Sequence, residues 1–217
     1  MTAEGTLILT RQEIASLMTF GDYVEAVEQA FHLHAEGRSL SPGVLDVGAK
    51  DGMFHIKAAG LALGERIYIA VKTNGNFPEN VRRFGLPTIQ GVITLCDGIN
   101  GYPLAVLDST EITVNRTGAA TAVAARYLAK PASTIATICG CGKQGRIQLL
   151  ALKHVLVIGR VFVWDQNEAA AVEFARRISS ETGIGVQAVT NLADAAMQSD
   201  VIDRVCSACS RLFGYAV

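Results

Sequence analysis

The segment Ile138-Cys-Gly-Cys-Gly-Lys-Gln-Gly145 leaves few folds open to this chain. Before it, Thr134 to Cys139 reads as a short buried strand; after it, Lys143 to Val155 carries the spacing of a helix. A strand that ends in glycines and turns straight into a helix lets backbone approach a pyrophosphate. The free N–H groups and dipole of that helix then hold the negative charge. The pattern G-x-G-x-x-G alone is weak evidence, since such a turn can serve strand–helix packing only. Here Asp165 ends the next predicted strand, about 20 residues past Gly145, where an acidic side chain can accept both hydroxyls of a ribose. Such a carboxylate repels a 2′-phosphate and so favours NAD(H) over NADP(H), although Lys143 or Arg146 would blunt that preference. Gly140, Gly142, Gly145 and Asp165 are the residues this reading places on a dinucleotide.

The rest of the second half keeps the same rhythm. Arg160 to Trp164 and Gly185 to Val189 read as strands, Glu168 to Ser179 and Leu192 to Met197 as helices, and Asp200-Val-Ile202 as the start of a fourth strand. Alternation of this kind builds a parallel, doubly wound sheet. The first half reads differently. Thr10-Arg-Gln-Glu13 has the form of a capping box, and Asp22 opens a longer helix that Gly37 stops. From residue 41 to 109 the period becomes two, with turns at Asp97-Gly98 and Asn100-Gly101, as a mostly antiparallel sheet requires. Ser109 or Thr110 can cap an alanine-rich helix to about Ala129, and Lys130-Pro-Ala-Ser133 forms a boundary because proline cannot continue it. The expected fold is α/β: an incomplete Rossmann-type parallel sheet in residues 131–217, preceded by an α+β domain in residues 1–130.

Bulk properties exclude several classes. Half of the 217 residues are hydrophobic and 18% are charged, a globular rather than disordered composition. The formal charge of −1 gives no footprint for nucleic acid or an anionic membrane, and no apolar run approaches a membrane span. The five cysteines (96, 139, 141, 206, 209) lack framework spacing, and Cys206-Ser-Ala-Cys209 has no second pair with which to hold zinc. The four histidines show no metal-ligand spacing either. With no signal-peptide pattern at the N-terminus, the expectation is a cytoplasmic protein without a metal site.

Lys57 and Lys72 stand in apolar alternating strands, and Arg116 lies in the alanine-rich helix. Each suits a surface charge or a structural ion pair as well as a ligand contact. Together they suit a carboxylate-bearing substrate, which arginine grips in two-pronged fashion and lysine meets as a point charge.

Five segments carry a family resemblance: Phe54-His-Ile-Lys-Ala-Ala-Gly60, Val71-Lys-Thr-Asn-Gly-Asn-Phe-Pro-Glu-Asn80, Leu86-Pro-Thr-Ile-Gln-Gly91, Leu107-Asp-Ser-Thr-Glu-Ile-Thr-Val-Asn-Arg-Thr117 and the Gly140–Gly145 turn. In order and spacing, over residues 7 to 202, they resemble the ornithine cyclodeaminase and mu-crystallin family. The resemblance implies a first domain that binds substrate and forms a homodimer, and a second that binds NAD(H). It implies chemistry at the C–N bond of a small amino or cyclic imino acid, from ornithine cyclisation to proline through to imine reduction by relatives such as pyrroline-2-carboxylate reductases. By position, Lys72 matches the lysine that binds the substrate carboxylate, and Arg116 the arginine that touches substrate and cofactor. Thr88, Lys143, Gln144 and Asp165 match cofactor contacts, while Lys57 belongs to a motif of some subgroups. No catalytic proton-transfer residue is identified.

Two departures accompany the resemblance. Gly43 stands where many members carry a substrate-gripping arginine, so the substrate need not be ornithine. The tail from Asp203 to Val217 does not resemble the family's continuation, which supplies the rest of the sheet and a catalytic aspartate. This pattern reads as a truncated or frame-shifted C-terminus. The alternatives to an enzyme are a non-catalytic, mu-crystallin-like binder of small molecules and NAD(P)H, or an inactive product.

Overall fold

A computed structural model describes residues 5–205, and the chain divides into two compact units between Thr113 and Val114. The division falls inside a helix, ahead of the boundary that the sequence suggests at its end.

The first unit comprises β1 (Leu7–Leu9), α1 (Arg11–Leu17), α2 (Phe20–Ala35), β2 (Ser39–Ala49), β3 (Gly52–Leu63), β4 (Arg66–Asn76), α3 (Asn80–Phe84), β5 (Ile89–Asp97) and β6 (Pro103–Asp108). Its six-stranded sheet runs β1-β6-β5-β4-β3-β2, antiparallel except that β1 lies parallel to β6. The capping box at Thr10 is present: its hydroxyl accepts from the Glu13 amide while Glu13 reaches back to the Thr10 amide at 2.8 Å. The next helix departs from the sequence reading. It starts at Phe20, and Asp22 is the third residue of a second capping box begun by Thr19. Gly21, a poor helix former, hides this start.

The helix α4 (Ser109–Leu128) carries the chain from one unit to the next. Neither expected cap operates through its own side chain. The Asp108 carboxylate accepts from the Thr110 amide at 2.7 Å, and the Ser109 hydroxyl turns instead to Asn74.

The second unit follows its predicted elements closely: β7 (Ile135–Cys139), α5 (Lys143–Val155), β8 (Arg160–Trp164), α6 (Glu168–Thr182), β9 (Gly185–Ala188), α7 (Leu192–Met197) and β10 (Val201–Arg204). The sheet order is β10-β7-β8-β9 and every pairing is parallel, a Rossmann-type arrangement. Strands buried on both faces need continuous apolar runs, and β7 and β8 supply them. Ile138, Leu149, Leu152, Val161, Val163, Phe174 and Ile178 form the core between sheet and helices. The strand β10 continues through Asp203 and Arg204, opposite Ile138 and Cys139, beyond the point where the sequence resemblance stops. The Cys206–Cys209 pair lies outside the described residues.

Candidate functional site

The turn between β7 and α5 has the geometry that its glycines suggest. Gly140 sits at φ +111°, a conformation that residues with a Cβ rarely adopt. Its amide donates to the Trp164 carbonyl at 2.8 Å, which ties the turn to the end of β8. Gly145 packs so closely that a Cβ would meet the Gly140 carbonyl oxygen at 1.9 Å. Gly142 is the helix cap; no side chain caps the first turn of α5, and a Cβ on Gly142 would enter open space. The result is a helix N-terminus whose amides face an unobstructed approach, as an anion site requires.

Asp165 follows β8 and faces this turn. One carboxylate oxygen accepts from the Cys141 amide at 2.8 Å and the other from the Asn167 amide at 3.0 Å. A carboxylate has about four acceptor positions, so each oxygen keeps a lone pair for a ribose hydroxyl. The Gln144 side-chain oxygen is buried beside the turn with no hydrogen-bond partner, an acceptor that a ligand donor would satisfy. A dinucleotide therefore fits the residues present. Lys143 is exposed at the start of α5. The structure thus brings Gly140, Gly142, Lys143, Gln144, Gly145 and Asp165 together.

The thiols of the turn are not nucleophiles. Burial, then the Asp165 carboxylate and Cys139, push the Cys141 thiol up to about 12, and burial with Asp203 pushes Cys139 to about 11. Both stay protonated at neutral pH.

In the first unit, strand register places Lys57 directly opposite Lys72. Beyond this pair on the same face lie Val44 on one side and Ile93 and Leu107 on the other. The next row of that face holds Asp46, His55, Asn74 and Gly91. His55 Nδ1 lies 2.6 Å from an Asp46 oxygen, and the Ser109 hydroxyl donates to the Asn74 side-chain oxygen at 2.7 Å. Sequence reasoning missed this second row. Its partners meet only through register, and no local spacing signals it. Thr88 lies apart from the lysines, just before β5, where its carbonyl accepts from the Phe77 amide at 2.9 Å.

Arg116 lies on α4 in the second unit. Desolvation lowers its pKa from the ordinary arginine value although its side chain keeps exposed surface, and among the described residues no carboxylate pairs with it. A cation in that condition is stabilised by an incoming anion.

A cavity of about 490 Å³ beside α3 is lined by Phe77, Asn80, Arg83 and Phe84 among others, and by none of these candidate residues. Arg83 is committed to Asp51 at 2.7 Å, so shape alone marks that cavity. Among the described residues no His, Cys, Asp and Glu cluster could hold a metal, and no helix is long and apolar enough to cross a membrane.

The profile of the ornithine cyclodeaminase/mu-crystallin family matches residues 4–211. This chain belongs to that family. The match extends past Ile202, where the resemblance read from the sequence stops. An alanine dehydrogenase of Archaeoglobus fulgidus is 36% identical over 197 residues, which cover 91% of this chain and 59% of that protein. An L-lysine cyclodeaminase of Streptomyces rapamycinicus is 38% identical, over 65% of this chain and 40% of its own length. The structure of the Thermococcus litoralis Δ1-pyrroline-2-carboxylate reductase, in complex with NADH and L-proline, matches with a TM-score of 0.83 at 34% identity. That match covers 92% of this chain and 61% of the reductase, so the chain spans less than two thirds of each of these relatives.

Proposed function

We propose that the protein is an NAD(H)-dependent oxidoreductase acting on the C–N bond of a small amino or imino acid. The observation that carries this reading is the uncapped glycine turn at Gly140–Gly145 with Asp165 hydrogen-bonded to its Cys141 amide. The reductase bound to NADH and L-proline and the alanine dehydrogenase support the same chemistry. When bound, the nicotinamide would accept hydride from the substrate's α-carbon or donate it to an imine carbon.

The chain's own residues then have separate roles. The amides of Gly142, Lys143 and Gln144 meet the pyrophosphate, and Asp165 accepts from the adenosine ribose, which favours NAD(H) over NADP(H). Thr88 is a further cofactor contact by position in the family. Lys72 holds the substrate carboxylate as a point charge. Arg116, desolvated and without an acidic partner among the described residues, serves as a second anion ligand. Lys57 lies opposite Lys72 as a third candidate substrate ligand. In this reading residues 1–130 bind substrate and form a homodimer, and residues 131–217 bind the cofactor.

The test begins with a fluorescence titration of NADH into the full chain. Nicotinamide absorbance is then followed with NADH and Δ1-pyrroline-2-carboxylate, and with NAD+ and L-ornithine or L-alanine. Saturable NADH binding with turnover supports the proposal. Saturable binding without turnover of any amino or imino acid would indicate a binder instead, and no binding would overturn it.

A further inference from the structure

In the row that holds Asp46, His55, Asn74 and Gly91, Asn74 alone is buried, at 6% exposure. Its oxygen is fixed: the Ser109 hydroxyl, itself fully buried, donates to Asn74 Oδ1 at 2.7 Å. Gly91 leaves room for that oxygen, because a Cβ there would lie 2.6 Å from Oδ1 and 2.0 Å from the Thr73 carbonyl oxygen. A carboxamide carries two N–H donors besides its oxygen, and among the described residues no group accepts from Asn74 Nδ2. The nitrogen is not enclosed, so a ligand can reach it. A side chain packed and anchored in this way presents its donors in one direction, with little freedom to lose on binding. Lys72 precedes it by two residues on β4, so the two side chains leave the same face of the strand about 7 Å apart.

An amino or imino acid has one group that such a donor can meet. Its protonated nitrogen donates, and only its carboxylate accepts. The ammonium of Lys72 is donor-only as well, and its three N–H groups leave it able to serve a ligand beside any protein partner. We infer that Asn74 binds the substrate carboxylate through Nδ2, beside Lys72, and that Ser109 positions the carboxamide by holding its oxygen. This rests on the oxidoreductase reading above and adds a neutral ligand and its support to the substrate site. The same arrangement discriminates against a substrate whose carboxylate is replaced by a carboxamide, since that group is uncharged and brings donors of its own.

The test is calorimetric titration of the full chain, with and without NAD+, by L-proline, L-alanine and L-ornithine and by their carboxamides. Wild type is compared with Asn74→Asp and Ser109→Ala. Asn74→Asp keeps an acceptor for Ser109 and replaces the NH2 by an oxygen of similar size. The amino acid that wild type binds most tightly should lose at least about tenfold in affinity in this variant. Its carboxamide, whose own NH2 then meets an acceptor, should lose nothing or gain. Ser109→Ala should weaken the amino acid by a smaller factor and its carboxamide less, because the freed Asn74 side chain can rotate. If the melting temperature shows that Asn74→Asp does not fold, Ser109→Ala decides by the same comparison. Unaltered amino-acid affinity in the variants would overturn the inference, as would equal losses of acid and carboxamide, or no amino-acid binding at all. Amino-acid binding that depends on Asn74, without any binding of NAD(H), would leave the inference standing and remove the oxidoreductase reading.

Discussion

Gly145 shows how a single position couples fold and site. Its missing Cβ leaves the Gly140 carbonyl where it is, since a Cβ would lie 1.9 Å from that oxygen. Backbone cannot yield as a flexible side chain does, so Gly145→Ala should destabilise the second unit by about 1–3 kcal/mol and abolish NADH binding. A thermal melt and a fluorescence titration of the same sample check both halves. Asp165→Asn separates charge from shape. The amide keeps one acceptor for the Cys141 amide but loses the negative charge that repels a 2′-phosphate. NADH affinity should fall by about tenfold, with a smaller loss for NADPH, so the ratio of the two dissociation constants moves towards one. The turn and its acid were legible from spacing because both lie within one strand–helix–strand unit. The opposition of Lys57 and Lys72 was not, because it depends on the register set by the hairpin between β3 and β4. Asp46 with His55, and Asn74 with Ser109, escaped for the same reason: each pair joins different elements.

At the scale of elements, amphipathic and apolar periodicity located nearly every helix and strand of the second unit, where each element is short and uniformly patterned. Across both units, the departures from the sequence reading have physical causes. The strand β1 has only three residues, too few to show a period, and the start of α2 is masked by Gly21 behind the Thr19 cap. The strand β10 runs on through Asp203, a residue that disfavours strands. Burial holds the Asp203 carboxyl above the ordinary aspartate range, against the opposing effect of its hydrogen bond with Thr121. A carboxyl whose folded-state pKa is raised contributes stability below its unfolded value, near 3.9, and loses it as pH climbs through the folded value. At neutral pH the ionised group is therefore a cost. Asp203→Asn should raise the melting temperature at pH 7 by a few degrees and leave it unchanged at pH 3. A gain of equal size at both pH values would mean that charge is not the cause. Asp200 behaves oppositely. The backbone amides of Thr134 and Ile135 hold its carboxyl below the ordinary range, so its contribution is present at neutral pH and fades as the solution is acidified.

For the whole molecule, the glycine turn and the facing lysines fall in different compact units, with Thr88 in the first and Arg116 in the second. The glycine turn and Asp165 lie wholly in the second unit, and Lys57 and Lys72 wholly in the first. A ligand that binds only the folded state stabilises it by about 2.7 kcal/mol at one hundred times its dissociation constant. That free energy appears first as slower amide exchange in the segments that must open to release the ligand. NADH should therefore slow exchange in the turn after β7, the first turns of α5 and the end of β8. An amino or imino acid substrate should slow it in β3 and β4, around Lys57 and Lys72. Hydrogen exchange read by mass spectrometry on peptic fragments distinguishes the two patterns. Protection by NADH confined to β3 and β4, with the α5 turn unchanged, would remove the glycine turn from the cofactor site. Protection by that substrate of the turn but not of β3 and β4 would remove Lys57 and Lys72 from the substrate site. The two failures are independent, because neither set of residues shares a compact unit with the other.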